Sequence, residues 1–162
     1  MCIIVYKPVG VSNPSWRTLK NCFENNPNGC GFMYAEDGEV HIRKGFMSWR
    51  GFKTAFKPFK NRVDIPIVTH FRITTNGATS PQNTHPFPLS DSVGELRALN
   101  FDCNVGIAHN GIISLTSYAD KLSDTMEFIR KYGSCIITSP KWYENTHSGE
   151  LLGEVIKSKM LV

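Results

Sequence analysis

The chain has 162 residues, of which 41% are hydrophobic and 20% charged, with a formal net charge of +4. That length suits a single domain, residues 1–162, able to bury about 68–70% of its unfolded surface. The composition is that of an ordinary globular chain, and no apolar run approaches the ~18 residues of a membrane span, so disordered and membrane-spanning classes are set aside.

The elements are expected as follows. Met1-Cys2-Ile3-Ile4-Val5-Tyr6 reads as a buried strand headed by a cysteine. Pro8 to Pro14 is turn-rich, and Ser15 is a plausible N-cap for a helix with Trp16, Leu19 and Phe23 on one face, stopped by Asn25-Asn26-Pro27-Asn28-Gly29. Cys30–Ala35 and Val40–Lys44 are strand-like, and the Glu36-Asp37-Gly38 between them is a hairpin signal, since Asp-Gly accepts positive φ. Across Gly45–Lys60, Phe46, Trp49, Phe52, Phe56 and Phe59 recur every few residues behind Ser48, which predicts an amphipathic helix broken at Pro58.

Ile65–Phe71 reads as a buried strand, followed by a long Thr-, Asn-, Gly- and Pro-rich loop, Arg72–Leu89, of the kind that carries function. Val93–Asp102 has weak periodicity. Asn104–His109 is a strand expected to turn at Asn110-Gly111 into Ile112-Ile113-Ser114. Ser123 is expected to cap a helix through Lys131, with Met126 and Ile129 inward and Asp124 in the first turn, where a carboxylate suits the helix dipole. Pro140–Asn145 and Gly149–Lys157 look helical, and the last four residues look like the start of a strand.

The N-terminus has no basic region followed by an apolar one, so no secretory signal is read and the cytoplasm is the expected location. The five cysteines (Cys2, Cys22, Cys30, Cys103, Cys135) are odd in number and lack a C-x-x-C pair, which argues against a disulfide framework or a zinc site. The five histidines show no metal-ligand spacing, so no metal and no cofactor are expected. The segment from Lys44 to Arg62 holds six basic residues and no acidic one, leaving the remainder net negative. A solvated basic face is one reading of it; a partner or nucleic-acid surface is another.

A cysteine directly after the initiator methionine gains chemical meaning once Met1 is removed, as its small side chain leads one to expect. Cys2 would then carry a thiol and a free α-amine. Model α-amines titrate near ~7.7–8.0 and thiols near ~8.5, so such a pair is a nucleophile with its own base.

Four further pieces follow in order: Asn26-Pro27-Asn28-Gly29-Cys30-Gly31; His70-Phe71-Arg72-Ile73-Thr74-Thr75-Asn76-Gly77 with Asn83-Thr84-His85-Pro86-Phe87; His109-Asn110-Gly111; and Ser123-Asp124-Thr125. Together with Cys2 they resemble the class II glutamine amidotransferases, N-terminal-nucleophile hydrolases that release ammonia from the glutamine side chain. The resemblance covers about residues 1 to 130 and is closest to the compact stand-alone type. It implies an α+β fold, a four-layer αββα sandwich of N-terminal-nucleophile hydrolase type. Because only 38 residues follow Asp124, that sandwich is expected to be minimal, completed by another chain, or cut short.

The resemblance also implies roles. Cys2 would attack the amide through a thioester, and Asn110 and Gly111 would stabilise the oxyanion. Arg72 would grip the substrate carboxylate and Asp124 its ammonium, while Thr75, Gly77, Asn83 and His85 would shape the pocket loop. His70 and His109 are read as core histidines with satisfied nitrogens. The chain departs from many family members at Ile3, Ile73, Asn76 and Met126, where glycine, an aromatic, histidine and glutamate are usual.

The expected partners are glutamine and a separate ammonia-accepting synthetase or ligase, since no P-loop is present. A homo-oligomer is possible, and no membrane is expected. The alternatives are a catalytically silent domain that binds a protein or nucleic acid through the pocket or the Lys44–Arg62 surface, and a hydrolase of some other amide.

Overall fold

The computed structural model of the chain describes residues 1–74, 78–114, 122–137 and 142–162. The fold is mixed α+β, built on two antiparallel sheets. Strand β1 (Ile3–Lys7) leads into helix α1 (Trp16–Asn25). Ser15 caps α1 by accepting the Thr18 N–H at 3.1 Å, and the Asn26 N–H closes it on the Cys22 and Phe23 carbonyls.

Strands β2 (Cys30–Glu36) and β3 (Glu39–Phe46) form the expected hairpin, with Asp37 at φ 52° and Gly38 at φ 84° supplying the left-handed turn. Helix α2 (Trp49–Phe56) starts at the Ser48 cap and runs into a 3₁₀ turn at Lys57–Phe59 around Pro58. β4 (Ile67–Phe71) is buried along its whole length. The loop after it holds a 3₁₀ turn at Pro81–Asn83 and the short strand β5 (Phe87–Pro88). Then come α3 (Val93–Arg97), β6 (Asn100–Cys103) and β7 (Gly106–Asn110). Helix α4 (Asp124–Phe128) continues through a π turn at Ile129–Gly133 into α5 (Ser134–Ile136), and α6 (Thr146–Ile156) and β8 (Lys159–Leu161) follow.

The larger sheet has the order β1-β4-β2-β3-β6 and the smaller one β5-β7-β8. Three apolar clusters tie them together. Leu19 and Phe23 of α1 and Phe52 and Phe56 of α2 pack on Phe32, Ile67 and Phe71, which point to one face of the larger sheet. Met33, Ile42 and Val68, pointing to its other face, meet Ala108 and Leu161 of the smaller sheet. Phe87 and Ile107 pack on Met126, Ile129, Leu152 and Ile156. The two-residue alternation of β4 thus serves both sides, with Ile67 and Phe71 toward the helices and Val68 toward the second sheet.

Several expectations are corrected. Gly45 and Phe46 belong to β3 rather than to a helix: Gly45 sits at φ 87°, and Phe46 stacks on Phe32 with ring centroids 6.0 Å apart. Asn110-Gly111 is not a hairpin turn into a strand, because β7 pairs with β5 and β8 and the Ile113 N–H is taken by the Asp124 side chain. The weakly periodic segment 93–102 resolves into α3 and β6. Part of the expected 140–145 helix lies outside the described residues; Trp142–Glu144 forms one 3₁₀ turn.

The basic segment is also not a single solvated face. Lys44 is buried, its ammonium donating to the Leu96 carbonyl at 2.7 Å and the Gln82 carbonyl at 3.1 Å and lying 3.9 Å from the centre of the Phe87 ring. Arg62 is paired with Glu36 and Asp64. No helix among the described residues is long and apolar enough to cross a membrane.

Candidate active site

Antiparallel pairing of β1 with β4 matches Ile3 to Phe71. One step beyond that pair, the register sets Cys2 across from Arg72. The Cys2 thiol donates to the Ile73 carbonyl at 3.5 Å. On the other side of β4, the Arg72 N–H donates to the Gly29 carbonyl at 2.8 Å, the Asn28 N–H to the Arg72 carbonyl at 3.0 Å, and the Thr74 N–H to Asn28 Oδ1 at 2.9 Å. The Asn-Pro-Asn-Gly loop therefore stitches down the chain that carries Arg72 and receives the thiol.

Arg72 is only 4% exposed, and its guanidinium donates to the Ala78 carbonyl at 3.0 Å. Burial pulls its pKa below the ordinary arginine value, and the Cys2 and Asp124 charges oppose that shift. Arg72 lines the same cleft as Cys2 and Asp124.

Asp124 opens α4 after the Ser123 cap, whose hydroxyl accepts the Met126 N–H at 3.2 Å. Its carboxylate is buried; one oxygen accepts the Ile113 N–H at 2.8 Å and the other the Thr125 N–H at 2.9 Å. The first of these bonds holds the chain just after Gly111 against the start of α4.

Cys2, Arg72, His85, Gly111, Asp124 and Thr125 line one cleft of about 20 Å³, room for about one water. Cys2 also borders two wider spaces together with Asn110, of about 370 and 420 Å³, the second of which reaches Gly111 and Lys157. The thiol carrier is thus common to all three. Asn110 ends β7, and its Oδ1 is buried with no hydrogen-bond partner among the described residues. A side chain at Gly111 would put its Cβ 2.4 Å from Ser158 Cβ, so glycine there is required by close approach. Thr75 and Gly77 lie outside the described residues.

Behind this cleft is a chain of buried histidines. Thr125 Oγ1 lies 3.3 Å from His85 Nε2 and 3.1 Å from His109 Nδ1. His109 Nε2 lies 2.6 Å from the Ser158 hydroxyl, which itself donates to the Ile156 carbonyl. The His85 ring stacks on His70 with centroids 4.2 Å apart. His70 Nε2 donates to the His109 carbonyl at 3.1 Å, which fixes its tautomer and leaves Nδ1 bare.

That Nδ1, and the one of His85, are buried without partners among the described residues, which corrects the expectation that His70 is fully satisfied. Burial drives the His70 pKa down to about 3, that of His85 well below its ordinary value, and that of His109 downward. All three imidazoles are neutral at pH 7. His109 is partnered at both nitrogens, yet it also lines the cleft.

Among the described residues no group of three or more His, Cys, Asp or Glu could hold a metal. The five cysteines are free. Burial raises the thiol pKa of Cys22, that of Cys30 to well above the ordinary value, and that of Cys103 to about 11. Cys135 is exposed, and Cys2 is half-buried at the junction of the clefts.

Three contributors were given no role in the sequence reading: Thr125, which joins two histidines; the Ile73 carbonyl, which takes the thiol; and Ser158, which limits residue 111. Thr125 stands in the quoted Ser-Asp-Thr, whereas Ser158 carries no sequence signal. No protein-family model, curated protein or solved structure matches the chain.

Proposed function

We propose that the protein is a glutamine-hydrolysing subunit of the class II amidotransferase type, with Cys2 as an N-terminal nucleophile. The observation that carries this reading is the convergence of Cys2, Arg72, Gly111 and Asp124 on one cleft, with Asn110 and Cys2 sharing the adjoining spaces. The succession of helices, larger sheet, smaller sheet and helices, each interface filled by its own apolar cluster, supports a four-layer αββα sandwich of N-terminal-nucleophile hydrolase type.

Glutamine presents a carboxylate, an ammonium and a carboxamide. Arg72 meets the carboxylate, for which a planar guanidinium is suited, and Asp124 meets the ammonium. With Met1 removed, the Cys2 α-amine takes the thiol proton, and the sulfur attacks the carboxamide carbon. Charge developing on the carbonyl oxygen is met by the Asn110 amide and the Gly111 N–H; loss of one such donor typically costs about 2.7–4 kcal/mol of barrier. The amine returns its proton to the leaving ammonia, and water, activated by the same amine, releases glutamate from the thioester. A 20 Å³ cleft is too small for an amino acid, and Arg72 and Asp124 line it but neither of the wider spaces that share Cys2, so gripping both ends of glutamine requires this cleft to open. The ammonia passes to a separate synthetase or ligase.

The binding-domain alternative has less support, because two of the six basic residues proposed for its surface, Lys44 and Arg62, are respectively buried and ion-paired. The test is a glutaminase assay on protein whose N-terminus is verified by mass spectrometry. Glutamate release by the mature wild type and its loss in Cys2→Ala are expected. Absence of turnover in protein shown to begin at Cys2 overturns the proposal.

A further inference from the structure

The α1–β2 loop holds the backbone in front of Cys2. Asn26 is 3% exposed, and its Nδ2 donates to the Met1 carbonyl at 2.8 Å. Its backbone is locked as the cap of α1, its N–H donating to the Cys22 and Phe23 carbonyls, and two residues on Asn28 is bonded to the segment 72–74. The Met1 side chain is 91% exposed. A buried amide is therefore anchored on a carbonyl whose side chain contributes little packing.

The Met1 carbonyl oxygen and the Cys2 nitrogen belong to one peptide group and lie roughly 2.2 Å apart by standard bond lengths. Hydrolysis of the Met1–Cys2 bond adds the hydroxyl of water to the Met1 carbonyl carbon and a proton to the Cys2 nitrogen. Free methionine leaves with the oxygen that Asn26 had held. The Asn26 amide is then buried without its acceptor, beside a new donor. Rotation about χ2, a broad two-fold torsion, exchanges Nδ2 for Oδ1.

We infer that Asn26 is the positioning residue for the α-amine of mature Cys2, accepting one of its N–H bonds through Oδ1. This rests on reading Cys2 as an N-terminal nucleophile. With one N–H fixed, the remaining positions on nitrogen are aimed, so the lone pair can face the thiol of its own residue. An amide oxygen also favours the charged ammonium over the neutral amine, so Asn26 sets the pH at which the base becomes available.

The experiment compares mature wild type, Asn26→Ala and Asn26→Asp, each shown by mass to begin at Cys2; any variant that retains Met1 is first treated with methionine aminopeptidase. The α-amine is titrated by NMR on protein carrying ¹³C-labelled cysteine, a readout that needs no substrate. The expected midpoints rise in the order Ala, Asn, Asp, by about half a pH unit or more per step. In parallel, kcat for glutamine falls about tenfold in Asn26→Ala with KM within twofold, and the acid limb of kcat/KM moves with the amine midpoint. Identical midpoints in all three proteins overturn the inference, whatever the activity. The expected order in a protein that never hydrolyses glutamine sustains the inference and removes the glutaminase reading.

Discussion

The Asp124 carboxylate accepts the Ile113 N–H at 2.8 Å and thereby holds the turn after Gly111 against the first turn of α4. The same residue lines one cleft with the buried Arg72. Asp124→Asn keeps an acceptor for the Ile113 N–H, leaves the Thr125 N–H facing an NH2 group, and removes the charge, so substrate ammonium loses its counter-ion while one of the two structural bonds is retained. A charge-assisted hydrogen bond contributes about 1.5–3 kcal/mol, and KM for glutamine is expected to rise about 10- to 150-fold, with stability lowered by the one unsatisfied Thr125 N–H. Asp124→Ala, which orphans the Ile113 N–H as well as that of Thr125, is expected to cost a further ~1–3 kcal/mol of stability in urea titration. Equal KM for wild type and Asp124→Asn would remove Asp124 from substrate recognition.

Arg72→Lys tests the other end of the substrate. A lysine keeps the charge but offers no planar fork for a carboxylate. Steady-state kinetics are expected to show reduced kcat/KM, chiefly through KM. Unaltered kinetics would mean that the guanidinium has a structural role, its bond to the Ala78 carbonyl included, and none in substrate binding.

Gly111 and Ser158 form a coupled pair. Gly111→Ala drives a methyl to 2.4 Å from Ser158 Cβ and 2.6 Å from its Oγ, an overpacking expected to cost about 1–3 kcal/mol. Adding Ser158→Gly removes both clashing atoms. A double-mutant cycle by chemical denaturation should give a coupling of about 1 kcal/mol or more in the relieving direction; strict additivity would show that residue 111 relaxes away from Ser158.

The buried histidines predict an acid-sensitive fold. His70 titrates near 6.5 when unfolded and at about 3 when folded, so between those values the unfolded chain binds a proton that the native chain does not. His85 and His109 are shifted the same way. Stability is full above pH 6.5 and falls as the pH drops, by up to about 1.4 kcal/mol per pH unit for each histidine that stays neutral. Urea midpoints measured between pH 7.5 and 4.5 should decline steadily, and a flat profile would mean that the imidazoles are protonated in place.

Local chemistry made much of the fold legible. Ser15, Ser48 and Ser123 all cap helices through their hydroxyls, and Asp37-Gly38 turns the hairpin. Errors arose where a tertiary partner overrode a local pattern. Phe46 fell by chance on the helical spacing of its neighbours, yet it stacks on Phe32 as part of a strand. Ile112-Ile113 reads as a strand until Asp124 captures the Ile113 N–H. Lys44 looks like a surface cation in a basic run, but it shares a strand with Ile42 and takes a buried site against Phe87. At the site, the residue types able to handle an amide were visible in four short motifs. The Thr125–His85–His109 arrangement was not, because it joins three segments that only the two sheets and α4 bring together.

The uneven burial of the thiols decides how an electrophilic probe would report on this chain. Cys30 is enclosed and, like Cys22 and Cys103, reluctant to form a thiolate. Accessible Cys135 would compete for reagent with Cys2. Alkylation by iodoacetamide is therefore best followed in a Cys135→Ser background, where this exposed competitor of Cys2 is gone.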